Sequence, residues 1–301
     1  MDWRERSVTS GDVVLHVRET GEVAWPTVVL VHGYPDCSEV WDDVAAELSP
    51  AHHVVAYDVR GMGRSTPPPS TEGYRLHHLA DDVFAVLDAV SPDRPVHLAA
   101  HDWGSIQTWE AVTDLDRNHR IASYTSISGP CLDHIGMDLR QGIRGRGARR
   151  IGRSLAQGLH STYIAVFQLP GLADSFWRTI GDRAWRRFLA RSEDVRDDGR
   201  HPTLAQDGLR GLELYRRNML RTLRSPRRRT TDVPVRLLTL TKDGYVGEIL
   251  SEDLERWVPN LTRSRLEAKH WALRTHPAQV AAAIAAQVAD VEAHGSLRPS
   301  A

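Results

Sequence analysis

The chain has 301 residues, 41% of them hydrophobic, enough for one large α/β domain or a domain with an inserted lid. The formal net charge of −1 gives no global reason to expect nucleic acid, and no apolar run reaches the ~18 residues of a transmembrane span. Two cysteines, Cys37 and Cys131, are too few for a disulfide framework, and the charged opening MDWRERSVTSGD lacks the apolar core of a signal peptide, so a soluble, cytoplasmic protein with reduced thiols is expected.

In chain order, VVLHV (Val13–Val17) reads as part of an early antiparallel hairpin. TVVLVHG (Thr27–Gly33) is a buried strand, a short β-branched run stopped by glycine. HVVAYD (His53–Asp58), PVHLAA (Pro95–Ala100), RIASYTSIS (Arg120–Ser128) and VPVRLLTL (Val233–Leu240) continue the series, and SRLEA (Ser264–Ala268) is a weaker sixth. Helical stretches fall among them: SEVWDDVAAELS, LADDVFAVLDAV, SIQTWEAVTDL and, near the end, PAQVAAAIAAQVADV. The alternation predicts an α/β fold with a mostly parallel sheet and helices on both faces.

The pattern stops between about Cys131 and Thr230, where the chain is arginine-rich, helical in character and without a convincing strand. From Asp133 to Arg229 there are 21 Arg, no Lys and 10 Asp or Glu, a charge of +11 against −12 for the rest of the chain. We read residues 131–230 as a helical cap, or lid, inserted after the fourth buried strand, with residues 1–130 and 231–301 forming the core. The runs RGRGARR and SPRRR suit anion or membrane-surface contact, but a solvated cap face is the preferred reading. The tail GSLRPSA is expected to be disordered.

In an open parallel sheet, catalytic groups gather at the carboxyl ends of strands. VHLAAHDWGSIQTW (Val96–Trp109) has the outline of a nucleophile elbow: an apolar run ends at the small Ala100, and after His101 come Asp102, Trp103, Gly104 and a helix. A carboxylate there can attack a substrate carbon and form an ester. A helix N-cap aspartate would occupy the same place, but an ordinary cap does not need small residues on both sides. The ester must then be hydrolysed, which takes a general base and a group to orient it. LTLTKDGYV places Asp243 just past the fifth strand, and EAKHWALRTHP places His270 just past the last. The order Asp102, Asp243, His270 is nucleophile, acid, base. His276 is the weaker candidate, because it precedes Pro277 at the start of the last helix. In HGYPD (His32–Asp36) the backbone N–H of Tyr34 can face the cleft as one oxyanion donor, and the N–H of Trp103, directly after the nucleophile, is the other. Tyr34-Pro35 is a candidate cis bond.

These residues carry a resemblance. HGYP, the loop YDVRGMGRS (Tyr57–Ser65), AHDWGS, TKD and KHW resemble the α/β-hydrolase-fold epoxide hydrolases, from about residue 10 to about residue 290. The chain is most similar to the hydrolase half of bacterial proteins that fuse an epoxide hydrolase to a short-chain dehydrogenase. The resemblance implies two cap tyrosines that hydrogen-bond the epoxide oxygen. YIAVFQLPGLAD is similar to the first such segment and places that role on Tyr163; LELYRRNM is similar to the second and places it on Tyr215. A neutral phenol, with a pKa near ~10, can protonate the alkoxide that ring opening leaves. The implied partner is a small-molecule epoxide, anionic or lipid-like if the cationic cap selects it, with no nucleic acid, acted on by a monomer or homodimer. No cofactor is implied, and no metal: His52-His53 and His77-His78 lack ligand spacing with carboxylates or Cys.

Two positions depart from the family pattern. Ala100 stands where the family often has Gly, and Gly244-Tyr245 after the acid is less typical. Haloalkane dehalogenases share an aspartate followed by Trp, but Tyr34 replaces the Asn or Glu common in their HG-x-P loop, and they do not need the tyrosine pair. A non-catalytic hydrolase-fold binding protein would usually lack a member of the catalytic set, and here all five side chains are present. Ser105 lies inside the helix turn and lacks the elbow spacing of a serine esterase.

Overall fold

The computed structural model describes residues 1–143 and 166–295. Its centre is an eight-stranded sheet in the order β1-β2-β4-β3-β5-β6-β7-β8. The strands are β1 (Arg4–Ser10), β2 (Val13–Thr20), β3 (Thr27–Val31), β4 (His53–Tyr57), β5 (Val96–His101), β6 (Ile121–Ile127), β7 (Val235–Leu240) and β8 (Leu261–Leu266). β1 pairs antiparallel with β2, and β2 with β4; from β4 through β3, β5, β6 and β7 to β8 every pairing is parallel. The helices used below are α1 (Asp42–Leu48), α2 (Leu76–Val90), α3 (Trp103–Val112), α4 (Leu132–Ile143), α5 (Leu172–Thr179), α6 (Gly181–Ser192), α7 (Leu204–Arg224), α8 (Ala272–Thr275) and α9 (Pro277–Gly295).

The strands read as continuous apolar runs because both faces of the sheet are covered. Successive side chains point to opposite faces. Val28, Leu30, Val54, Ala56 and Ala99 pack with Val44 and Leu48 of α1 and Val280 and Ile284 of α9. Val29, Val31, Val55, Tyr57 and Leu98 pack with Val83 and Leu87 of α2 and Trp109 and Val112 of α3. Each such valine, leucine or isoleucine side chain, fully withdrawn from water, contributes about 1.5–3 kcal/mol. The result is the α/β architecture expected, an α/β-hydrolase arrangement of a mostly parallel sheet between helices.

The two edge strands differ from their sequence outlines for one reason: an edge needs no apolar run. In β1 only Val8 and Ser10 are buried, yet the strand pairs with β2 residue by residue, from Arg4 opposite Glu19 to Ser10 opposite Val13. β8 starts at Leu261 rather than at Ser264, and its exposed Arg263 and Arg265 pair with Glu255 and Glu248. Both cysteines are free and buried. Among the described residues no helix is long and apolar enough to cross a membrane.

Between β6 and β7 the described residues form helices α4 to α7 and no strand. On α7, Gly208, Gly211, Tyr215 and Asn218 share one buried face, as spacings of three and four require. That face meets the loops at the carboxyl ends of the strands. The Tyr34 hydroxyl donates to Gly208 O at 3.0 Å, the Asn218 amide donates to Tyr74 O at 2.8 Å, and its carbonyl accepts from Leu76 N at 3.0 Å.

Candidate active site

β5 ends at His101, and Asp102 turns the chain into α3 with φ 52° and ψ −124°, a conformation that L side chains rarely adopt. Crowding from two sides holds it there. A methyl group on Gly104 would lie well under 3.0 Å from the carbonyl oxygens of Val31 and His32, and one on Gly33 would lie as close to the Asp102 carboxylate. Gly104→Ala is therefore expected to destabilise the fold by about 1–3 kcal/mol, toward the upper end because backbone oxygens cannot rotate aside. Urea unfolding measures it, and an unchanged midpoint would contradict this account of the turn.

The Asp102 carboxylate is divided between two partners. Its Oδ1 accepts the Tyr34 backbone N–H at 2.7 Å, in the loop after β3 where Tyr34-Pro35 is cis. Its Oδ2 faces His270 Nε2 at 3.7 Å. Trp103 opens α3, so its N–H has no intrahelical acceptor and sits at the positive end of the helix.

His270 lies between β8 and α8, and only 2% of its surface is exposed. Its Nδ1 donates to Asp243 Oδ2 at 2.9 Å. Asp243 follows β7, and its other oxygen accepts Tyr245 N at 2.7 Å and Val246 N at 3.0 Å. Burial by itself would push the His270 pKa down, but the carboxylates of Asp243 and Asp102 outweigh it and lift the value to about 10. Burial likewise pushes Asp243 up, and the His270 charge with hydrogen bonds from His270, Ser128 and Val246 brings it down to about 2. A histidine raised in the folded state stabilises it fully below the unfolded pKa of ~6.5, and that contribution is lost as pH climbs toward 10. The thermal midpoint is expected to fall across that window, and a His270→Gln variant should lack the His270 part of the fall.

In the sequence, Tyr34 stands out only for its backbone N–H. Its hydroxyl also accepts the Trp177 indole N–H at 2.7 Å, so α5 and α7 both grip the loop that touches Asp102. Tyr215 stands at this junction, 4% exposed, its ring 4.7 Å from Trp103, 5.2 Å from Tyr34 and 5.1 Å from Phe167. The structure thus brings Asp102, Asp243, His270, Tyr34, Trp103 and Tyr215 together; Tyr163 lies outside the described residues.

Three contributors had no signal of their own. Ser128, at φ 49° just past β6, hydrogen-bonds Asp243. Tyr245, part of the atypical Gly244-Tyr245, sets its ring 4.8 Å from His270. The His101 ring lies 4.6 Å from that of His270, tilted by 51°, and its Nε2 donates to the His270 carbonyl at 3.0 Å; burial and the His270 charge push its pKa down to about 3, so it stays neutral. Ser105 is spent elsewhere, on Tyr124, Ser126 and Gly129 O.

One group among the described residues has metal-ligand chemistry: Cys37, His201 and Asp207 bring donor atoms within 4.8 Å of one another. Both Asp207 oxygens already accept bonds, one from Gly63 N at 3.1 Å and the other from His201 Nε2 at 2.9 Å and Thr203 Oγ1 at 2.6 Å. The group reads as a fastening of α7 to the loop after β4.

Known proteins share this frame. The chain is 37% identical over 286 residues to the "Probable oxidoreductase EphD" of Mycobacterium tuberculosis, a match covering 93% of this chain and 48% of that protein. It is 34% identical over 186 residues to "Epoxide hydrolase A" of the same organism, covering 62% and 54%. It spans about half the length of these curated relatives. Among solved structures, an epoxide hydrolase of Bacillus megaterium with an inhibitor superposes with a TM-score of 0.76 over 94% of this chain and 100% of that one, at 21% identity. Epoxide Hydrolase A of Mycobacterium thermoresistibile gives 0.75 over 96% and 98%, at 24% identity. The family model described as alpha/beta hydrolase fold matches residues 26–277. With the sheet order, the turn at Asp102 and that match in agreement, the chain belongs to the alpha/beta hydrolase fold family.

Proposed function

We propose that the protein hydrolyses an epoxide to a vicinal diol through an alkyl ester on Asp102. The observation that carries the reading is the position of His270, with Asp243 at 2.9 Å on one ring nitrogen and Asp102 at 3.7 Å on the other. A serine nucleophile would need the histidine to take its proton, whereas a carboxylate attacks without one, and the histidine serves the second step. The relatives named epoxide hydrolases, and the match to about half of EphD, support reading the chain as akin to the hydrolase half of a larger protein.

Asp102 Oδ2 attacks a ring carbon from the back while the C–O bond breaks. Tyr215, and Tyr163 by resemblance, hold the ring oxygen, and a phenol proton passes to it. Residues 131–230 act as the cap that carries both. Esterification removes the Asp102 charge, and with it one of the two carboxylates that keep His270 protonated. The imidazolium then gives its proton more readily to the phenolate that ring opening left, and the neutral ring takes a proton from water. That hydroxide attacks the ester carbonyl carbon. The Tyr34 N–H, already 2.7 Å from Oδ1, meets the oxyanion there, with the Trp103 N–H as its companion. The bond from the carboxyl carbon to the substrate oxygen breaks, that oxygen takes the proton of the hydroxyl that attacked, and the diol leaves with the Asp102 carboxylate and the His270 imidazolium restored. The chain's own side chains suffice for each step. The cationic helical segment favours an anionic or lipid-like epoxide.

In a single turnover in heavy-oxygen water, the first diol is expected to carry an unlabelled oxygen from Asp102, with the label left in the protein. Label in that first diol would exclude the ester and leave direct attack by water.

A further inference from the structure

We propose that the outer face of the helices between β6 and β7 docks on an anionic lipid bilayer. Exposed large apolar side chains gather there: Leu139, Val166, Leu169, Leu172 and Leu220, with Leu169 at 58% and Leu172 at 63%. Hydrogen bonds place them side by side. Arg216 on α7 donates to Phe167 O at 3.0 Å and to Leu169 O at 3.4 Å, which sets the 166–172 stretch against the helix. Leu220 lies one turn on from Arg216, and one turn further Arg224 O accepts from Arg140, the neighbour of Leu139.

The charges around these side chains are unbalanced in one direction. The acids near it are already paired: Asp174 and Glu213 with Arg216, Asp138 with Arg256, and Asp133 with Arg227 and Arg229. Arg221, Arg224 and Arg228 are exposed, and none makes an ion pair with a described residue. The face is thus a row of leucines bordered by three arginines that have no acidic partner among the described residues.

Each half of that pattern selects against other occupants. Nucleic acid would use the arginines but leave the leucines in water. An apolar protein partner would bury the leucines but strand the guanidinium groups. A bilayer with anionic head groups takes both, apolar tips in the acyl boundary and guanidinium groups on phosphate oxygens. The exposed Leu169-Pro170-Gly171-Leu172 turn is the part that enters first.

Co-sedimentation with vesicles tests this with no epoxide present, so its outcome is independent of the proposed reaction. The protein is expected to pellet with phosphatidylglycerol vesicles at low salt, to release at high salt, and to ignore phosphatidylcholine vesicles. Arg221→Glu/Arg224→Glu/Arg228→Glu is expected to weaken partitioning by about 100-fold or more, from about 1 kcal/mol for each arginine lost. Leu169→Glu/Leu172→Glu should weaken it by about tenfold or more without shifting the thermal midpoint, because both side chains are exposed. No pelleting with phosphatidylglycerol, or pelleting that neither variant reduces, overturns the proposal. So does a concentration-dependent dimer, seen by sedimentation velocity, that the leucine variant dissolves while vesicle binding is absent.

Discussion

His270→Gln, incubated with a panel of aryl, alkyl and fatty epoxides, is expected to gain the mass of one epoxide and to keep it. The first chemical step does not need the histidine: Asp102 Oδ1 is held by the Tyr34 N–H at 2.7 Å, and Oδ2, 3.7 Å from His270 Nε2, is the oxygen proposed to attack. The second step does need it, and a general base is worth about 10²–10⁴ in rate. Steady turnover should therefore fall by about that factor while the ester accumulates. Glutamine retains an amide that can reach Asp243, so the site keeps a polar group where the imidazole was. An Asp102→Asn/His270→Gln double variant should show no added mass, which separates an ester on Asp102 from adventitious alkylation. Absence of any adduct, in protein that retains its thermal transition, would count against an ester route for epoxides. A haloalkane panel in the same format then distinguishes the neighbouring chemistry: an adduct that lacks the halogen identifies a dehalogenase. No adduct in either panel leaves the binding-protein alternative.

The parts of this site that the sequence made legible are those built from neighbours along the chain. The turn at Asp102 was visible because its causes are local: an apolar strand, a small residue before it and a glycine after it. Asp243 and His270 were visible because each follows a strand end, where a parallel sheet collects its reactive groups. What could not be read were the pairings between distant segments. Nothing near Ser128 announces that it bonds Asp243, and nothing in HGYPD announces that Trp177 and Gly208 will hold the Tyr34 hydroxyl. The same limit governed the fold. The β-branched runs of β3 to β7 declared themselves, whereas β1 depends on its partner β2 for its identity. The exposed leucines of the helical segment had no reading at all, because periodicity shows which residues lie on a common face but not which face is left in water.

Asp82→Asn is expected to cost about 3–5 kcal/mol of folding stability, although Asp82 takes no part in the proposed reaction. Arg60, in the loop after β4, meets the Asp82 carboxylate with two bonds of 2.6 Å, from Nε and from the guanidinium nitrogen Nη2. Both groups are buried, with side chains 6% and 1% exposed. Burial raises the Asp82 pKa despite Arg60, so the pair as a whole is a poor source of stability. Removing one partner is a different matter. It leaves a charged guanidinium in the interior facing neutral acceptors alone, the amide oxygen at position 82, Gly73 O at 2.8 Å and His78 O at 3.1 Å. The thermal midpoint should drop by roughly 6–20 °C. Replacing both residues together, as Arg60→Met/Asp82→Leu, should cost far less than the two single changes summed, because no charge is then left unpaired. Urea unfolding of the four proteins gives the coupling, and simple additivity would refute the argument. The loop has a second role that the same variants probe. Gly61 O accepts from Arg210 and Gly63 N donates to Asp207, both on α7. Loosening Arg60 should therefore speed amide exchange at Gly63 before it reaches the sheet, and unsettle the helix that sets Tyr215 against Trp103.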